Sequence, residues 1–257
     1  MPIRVGFQAQ PQHADYATMR RAWADADSLG VDTIWNWDHF FPLYGAADGK
    51  HFECWTLLGA MAEVTERAEI GALVTCNSYR NPQLLADMAR TVDHIAGGRL
   101  IFGIGAGWFE RDYDEFGYEF GTPGSRIRAL EGNLGMFRER LEKGNPAPHR
   151  RLPFLIPGRG KKVSLRVIAE HADIWHTFGP PDEWAEYNDL LTEWCERVGR
   201  DPSEIERSAT PQEQKDRERL DEYVERGADQ IIFGMGGPDY DLGSIRELVA
   251  WRDRVNR

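Results

Sequence analysis

The sequence predicts an α/β protein, a (β/α)8 TIM barrel spanning residues 1–257 as a single domain. Three observations carry this. Eight β-prone runs alternate with eight helix-prone runs along 257 residues, and no composition break or low-complexity linker interrupts them. Strands followed in turn by helices favour a parallel sheet, and eight strands in about 250 residues is the number that closes one into a barrel. An open doubly wound sheet is the alternative, but it would place a glycine-rich phosphate loop after its first strand, and FQAQPQH (7–13) offers none.

The strand runs are IRVGFQA (3–9), DTIWNW (32–37), AEIGALVTC (68–76), RLIFGIGA (99–106), PFLIP (153–157), DIWHTF (173–178), EIERSAT (204–210) and DQIIFGM (229–235). The fifth is short, and the seventh carries Glu, Arg and Ser against one Ile. In the first helical run Met19, Ala22, Trp23, Ala26 and Leu29 recur at three- and four-residue intervals, and Gly30 supplies the stop. The run from Asn81 opens on Asn-Pro, a cap and first-turn pair, and closes on two glycines. Further helical spacing covers 52–66, 125–142, 161–171, 182–198, 212–226 and 242–254. The stretch 38–51 is long and glycine-bearing, which suits a lid over a site.

Composition narrows the partners. The chain is 41% hydrophobic, with 31 basic against 42 acidic residues and a net charge of −11. It lacks the Lys/Arg excess that neutralises phosphate backbones, so neither nucleic acid nor an anionic membrane surface is expected. A small anionic ligand in a locally basic pocket remains open. MPIRVGFQAQ begins as a strand without the pattern of a secretion signal, and no apolar stretch reaches membrane-spanning length. Cys54, Cys76 and Cys195 are widely spaced without CxxC, which argues against a disulfide framework or structural zinc and for a cytoplasmic protein. Nine tryptophans suit a bulky core or a flat aromatic ligand.

In a barrel of this kind function sits at the C-terminal ends of the strands. Those ends carry Gln8 and Gln10; Asn36, Asp38 and His39; Thr75, Cys76 and Asn77; Gly105, Gly107, Trp108 and Glu110; Gly158, Arg159 and Gly160; His176 and Thr177; Ser208 and Thr210; and Gly234, Gly236 and Gly237. GIGAGWFE (103–110) is not GxGxxG; its glycines serve either a tight turn under a helix or close approach of backbone N–H groups to a ligand. IPGRGKK (156–162) sets glycines beside Arg159, Lys161 and Lys162 at a helix start, a natural phosphate seat. Asp38 and His39 in WNWDHFFP could bind a metal, move a proton, or cap a structure. The metal option falls because the first strand has no histidine and no His-x-His occurs at the strand ends. His94 and His171 lie in helical runs and His13, His51 and His149 in loops, which leaves His39 and His176 facing the expected pocket. No nucleophile elbow, P-loop or Ser-His-Asp pattern is present.

Several stretches together resemble the luciferase-like flavin and deazaflavin oxidoreductases, above all their coenzyme F420-dependent branch. They are Asp38-His39-Phe40, Tyr79-Arg80-Asn81-Pro82, Asp93-His94 with Gly97-Gly98-Arg99-Leu100, and Gly103 to Trp108. EFGYEF with Arg126 and Glu131, EHADIW, CERVGRDPSEI and ERGADQIIFGM continue the pattern in order over nearly the whole chain. The resemblance implies a deazaflavin across the C-terminal face of the barrel, with His39 beside its reacting edge as proton donor or acceptor. Leu73, Val74 and Thr75 would back the ring, through a non-prolyl cis peptide at Leu73–Val74. Gly105, Ala106, Gly107 and Trp108 would line its edge and tail, and Gly158, Arg159 and Gly160 would form the phosphate loop. Asp38, either closing its strand or contacting the ring's polar edge, and His176 complete the expected cofactor-binding set.

The departures are specific. Pro157 replaces a family glycine in IPGRG. Leu43 stands where the sugar-phosphate dehydrogenases of this family carry tryptophan, which argues against that substrate. The segments KGNPAPHRRLP and around the seventh strand are shortened insertions, so the pocket is expected to be open or rearranged. The function expected is hydride transfer between F420 and a small organic substrate. The alternatives are an FMN- and oxygen-using monooxygenase and a non-catalytic flavin- or deazaflavin-binding protein. The resemblance also implies a homodimer.

Overall fold

The computed structural model describes residues 2–257. Nine strands run parallel: β1 (Arg4–Ala9), β2 (Thr33–Asn36), β3 (Glu69–Ala72), β4 (Thr75–Cys76), β5 (Leu100–Gly105), β6 (Phe154–Pro157), β7 (Ile174–Phe178), β8 (Glu206–Thr210) and β9 (Gln230–Met235). β1 pairs with both β2 and β9, and β3 pairs with β5, so the sheet closes on itself. β3 and β4 form one stave interrupted at Leu73–Val74, which gives a closed eight-stave barrel as expected from the sequence.

The helices are α1 (Tyr16–Leu29), α2 (Cys54–Val64), α3 (Pro82–Ile95), α4 (Glu110–Phe116), α5 (Pro123–Glu142), α6 (Ser164–His171), α7 (Pro181–Val198), α8 (Gln214–Arg217), α9 (Leu220–Glu225) and α10 (Gly243–Val255). The Asn81 side chain accepts from the backbone N–H groups of Gln83 and Leu84, with Pro82 in the first turn, so the Asn-Pro start of α3 caps as its chemistry dictates. Two features differ from the sequence expectation. α4 is an additional helix whose seven residues bury only Asp112 and Tyr113, too little for an apolar stripe to signal it. The expected run 212–226 is broken between α8 and α9 at Glu218–Arg219. The break lets Leu220 and Tyr223 reach the core, where the Tyr223 hydroxyl donates to the Gly179 carbonyl at 2.6 Å.

Inside the barrel, Trp35, Ile101, Leu155, Ile174 and Ile232 form a plug against which Leu73 and Val74 pack. Beneath it the Trp35 indole N–H and the Gln230 amide both donate to Thr33 Oγ1, at 2.7 and 2.9 Å. Trp23, Trp35, Trp175 and Trp184 are fully buried, so much of the tryptophan excess is core rather than ligand surface. All three cysteines are buried and unpaired. Among the described residues no helix is long and apolar enough to cross a membrane.

Candidate active site

A cavity of about 670 Å³ opens at the C-terminal end of the barrel. It gathers side chains that the sequence separates by up to two hundred residues. Asp38, His39, Leu73, Val74, Thr75, Gly105, Ala106, Gly107, Trp108, Gly158, Arg159 and His176 all line it. Gly160 lies instead in an adjoining groove of about 650 Å³, which shares Ala106, Gly107, Trp108 and Pro157 with the cavity and carries Arg126, Lys161 and Lys162. Among the described residues no three His, Cys, Asp or Glu side chains converge as a metal-ligand set.

One wall is built where the third stave breaks. The Leu73–Val74 peptide is cis, as the resemblance implies. The stave is held on both sides of the break: the Leu73 N–H donates to the Asn36 carbonyl at 2.8 Å, and the Gln8 amide donates to the Leu73 carbonyl at 3.1 Å. The glycines of GIGAG serve this packing. A Cβ on Gly103 would lie 1.9 Å from the Ala72 carbonyl oxygen, and one on Gly107 (φ +82°) would lie 1.9 Å from the Tyr113 hydroxyl. Of the two uses the sequence left open, these two glycines serve close packing of the protein on itself. Thr75, wholly buried beside the break, has a hydroxyl with no protein partner.

The neighbouring residues Asp38 and His39 part in opposite directions. Asp38 accepts from both Nη atoms of Arg80, at 2.6 and 2.9 Å, and from the Cys76 N–H at 3.0 Å. Burial alone would lower the Arg80 pKa, but the Asp38 and Glu53 carboxylates outweigh it and the guanidinium is held charged. Of the two roles expected for Asp38, the geometry favours fixing the strand end, because its oxygens are already engaged. His39 turns its Nδ1 to Asp112 Oδ2 at 2.7 Å. Asp112 is fully buried and also accepts from the Tyr79 hydroxyl at 2.8 Å and the Phe40 N–H at 3.0 Å. Burial and the nearby Asp112 carboxylate push the Tyr79 phenol pKa well up, so it stays a donor. A carboxylate offers only acceptors, so Nδ1 carries the proton and Nε2 is left for the cavity, with no protein partner among the described residues. The His39 ring is boxed edge-on by Trp37, Trp108 and Phe109, at centroid distances of 5.9, 5.6 and 5.5 Å. Behind Trp37, the indole N–H donates to His51 Nε2 at 3.1 Å; burial pushes His51 down to about 4 and keeps it a neutral acceptor.

The remaining expected residues are placed with changes. Arg159 is engaged by Glu183 of α7 at 2.7 Å, so its charge is partly neutralised where the sequence predicts a phosphate seat, and Lys161 and Lys162 give the adjoining groove its cationic character. His176 forms the floor, with Nδ1 2.9 Å from Ser208 Oγ, and burial pushes it down to about 3. The 38–51 loop covers one side of the mouth with Leu43 and Tyr44. It is tethered by His13 to the Tyr44 carbonyl at 2.8 Å and by Arg111 to the Ala47 carbonyl at 2.8 Å. Asp112 sits on a helix beyond its strand and so is not among the strand-end residues, and the sequence assigns no role to Tyr79 and Arg80 although their motif stands out. Gln212 and Arg217, also in the lining, were hidden in an expected helix.

Residues 1–235 match the model of the family described as luciferase-like monooxygenase, and the chain belongs to that family. An F420-dependent glucose-6-phosphate dehydrogenase of Amycolatopsis mediterranei (strain U-32) is 29% identical over 140 residues, covering 53% of this chain and 41% of the relative. A phthiodiolone/phenolphthiodiolone dimycocerosates ketoreductase of Mycobacterium tuberculosis (strain ATCC 25618 / H37Rv) is 29% identical over 253 residues, covering 84% of this chain and 65% of the relative. The chain therefore spans less than two thirds of the length of these relatives. Among solved structures, an F420-dependent secondary alcohol dehydrogenase in complex with an F420–acetone adduct has a TM-score of 0.84 at 17% identity, covering 96% of this chain and 98% of that one. A coenzyme F420-dependent tetrahydromethanopterin reductase from Methanopyrus kandleri has a TM-score of 0.73 at 14% identity, with 97% of each chain covered. At such identities the likeness is one of fold.

Proposed function

We propose that this member of the luciferase-like family is an oxidoreductase that moves hydride between coenzyme F420 and a small organic substrate, with His39 as proton donor or acceptor. The observation that carries the reading is the His39–Asp112 pair. It fixes one imidazole nitrogen on a buried carboxylate and presents the other to a cavity that is otherwise largely apolar. An imidazole held this way can pass a proton at Nε2 without being a metal ligand.

The cavity fits a flat ring with an anionic tail. Leu73 and Val74 give an apolar wall, Thr75 an unpartnered hydroxyl beside it, and Lys161 and Lys162 a cationic groove that adjoins it. In this reading Leu73 to Thr75 and Gly105 to Trp108 hold the ring, Gly158 to Gly160 with the two lysines hold the tail, His176 forms the floor, and Asp38 keeps the wall in place through Arg80. The bound cofactor supplies a two-electron hydride donor or acceptor. The chain's part is to orient the partners, hold the His39 ring among Trp37, Trp108 and Phe109, and give or take a proton at His39 Nε2. The names of the relatives support F420 over FMN. The buried, unpaired cysteines suit a reducing cytoplasm, and a homodimer, read by sedimentation, belongs to the same proposal.

Titrating the purified protein with F420 and with FMN, following fluorescence quenching, tests the cofactor. Tight FMN binding without F420 binding would overturn it. His39→Ala is expected to lower turnover by about 10²–10⁴-fold, the range for a general acid or base, while F420 affinity stays within about twofold. Unchanged turnover would remove His39 from the chemistry. Cofactor binding without hydride transfer to a panel of alcohols, imines and activated alkenes would point to a binding protein instead.

A further inference from the structure

One cation in the cavity has no counter-ion. Arg217, at the end of α8, makes no ion pair among the described residues. Its only side-chain hydrogen bond among the described residues is from Nη2 to the Gly234 carbonyl at 3.4 Å, and its Nε is buried without a partner. The guanidinium is set in place by Phe233, whose ring centroid lies 4.6 Å away. Its surroundings show how exceptional this is. Arg159, the other arginine of the lining, is engaged by Glu183, and Arg219, two residues on, is engaged by Asp182 and Glu222. The one carboxylate in the lining, Asp38, is taken by Arg80.

A second polar group converges on the same strand end. Gln10 Nε2 donates to no group among the described residues, and its Oε1 is buried without a partner. A Cβ built on Gly234 would lie 3.0 Å from Gln10 Nε2, so this amide and the Arg217 guanidinium flank one glycine. A partly buried cation without a counter-ion is costly where nothing binds it. In a chain of net charge −11 Arg217 makes the β9 side of the cavity locally positive, a field that concentrates anions. Gly234 of β9 is in register with Gln8 of β1, and Gln8 with Trp35 of β2. β9, whose Gly234 carbonyl accepts from Arg217, and β2, which His39 follows, therefore flank β1, with strand axes roughly 10 Å apart. A small molecule spans that distance.

We infer that the substrate carries an anionic oxygen group, a carboxylate or a phosphate, which Arg217 and Gln10 seat on the β9 side of the cavity while its reacting carbon faces His39. This rests on the oxidoreductase reading and adds the substrate class to it. The guanidinium offers paired N–H donors matched to either oxyanion.

The test uses the purified chain of residues 1–257, with and without F420, and three probes at constant ionic strength: propionate, inorganic phosphate and the neutral propionamide. Binding is read by tryptophan fluorescence and, in the loaded protein, by the perturbation of cofactor absorbance. Propionate or phosphate should bind and propionamide should not, and whichever anion binds more tightly identifies the group. Arg217→Gln should weaken anion binding at least tenfold, Arg217→Lys should restore part of it, and F420 affinity should stay within twofold. Gln10→Ala should weaken the anion about threefold, and it serves as the independent variant if Arg217→Gln loses the native fold. Equal anion affinity in wild type and Arg217→Gln, or no anion binding by wild type, overturns the inference. A parallel loss of F420 affinity also overturns it, because Arg217 would then serve the cofactor. Failure of F420 to bind at all counts against the oxidoreductase reading, whereas the anion titrations of the cofactor-free chain still decide the role of Arg217.

Discussion

At the N-terminal end of the barrel, Arg4 reaches between Glu69 and Glu206, Arg150 closes on Glu69, and Asp173 is shared by Arg138 and Arg151. At the C-terminal end, Arg217 has no carboxylate, the Gln10 amide and the Thr75 hydroxyl have unpaired atoms, and His39 is bound through only one of its nitrogens. The two ends enclose the same apolar plug, so the contrast does not come from burial. It lies in the ion pairs: those of Arg4, Arg150 and Asp173 close within the chain, whereas Arg217, Gln10, Thr75 and His39 present polar atoms to the cavity, although Arg207 Nη1 and Gln230 Oε1 at the lower end are also without partners. This is the division of labour that a barrel allows, with stability below and chemistry above.

The largest test of that division is Arg4→Met. It removes a cation from two carboxylates that are about four-fifths buried; Glu69 keeps Arg150, but Glu206, which burial already pushes up, loses its main compensation. Breaking one partner of such a buried pair costs about 3 kcal/mol, the low end of the usual range. In a chain of this size that is roughly 6–12 °C in Tm. Calorimetry should show the loss, and F420 affinity should not move. A variant that keeps its Tm but loses cofactor would show that the two ends are not independent.

The same contrast explains what the sequence made legible. The barrel could be read because alternation of strand and helix periods is a property of each segment alone. His39 could be read because it follows its strand directly. AEIGALVTC looks like one continuous buried strand, so periodicity gave no sign of the break at Leu73–Val74; the family resemblance supplied it. Asp112 was hidden because its helix is short, acidic and nearly without an apolar face, and its partner lies 73 residues away. Arg217 was hidden by a bend inside a run whose spacing reads as one helix. What escaped are pairings between distant segments, and functional sites at the C-terminal end are built mostly from those.

The next effect in size concerns Asp112, the buried acid that holds His39. Asp112→Asn is nearly isosteric. It keeps the acceptor for the Phe40 N–H but turns an amide N–H₂ toward Tyr79 and His39, where a carboxylate oxygen stood. His39 Nδ1 must then accept rather than donate, and the proton moves to Nε2, the wrong tautomer for an unchanged proton-transfer role. Turnover is expected to fall about 10²-fold, or about 2.7 kcal/mol in barrier, with F420 affinity nearly unchanged. A fall in cofactor affinity with kcat preserved would assign Asp112 to architecture alone.

The smallest effect separates the floor of the site from the charged base of the barrel. His176 is 3% exposed, hydrogen-bonded to Ser208, and pushed by burial from its ordinary 6.5 down to about 3. Its folded-state pKa is depressed, so between those values the unfolded chain takes up a proton that the native chain refuses. Stability associated with neutral His176 is therefore complete above pH 6.5 and declines as the pH falls toward 3. From pH 6.5 to 5 the decline is on the order of 2 kcal/mol. His51, pushed down to about 4 by burial, adds a decline of the same sign over an overlapping window. His176→Asn should therefore flatten, without abolishing, the loss of stability between pH 6.5 and 5, as read by urea unfolding at both values. An unaltered slope would mean that the floor already admits the proton, and that the upper end tolerates charge where the geometry excludes it.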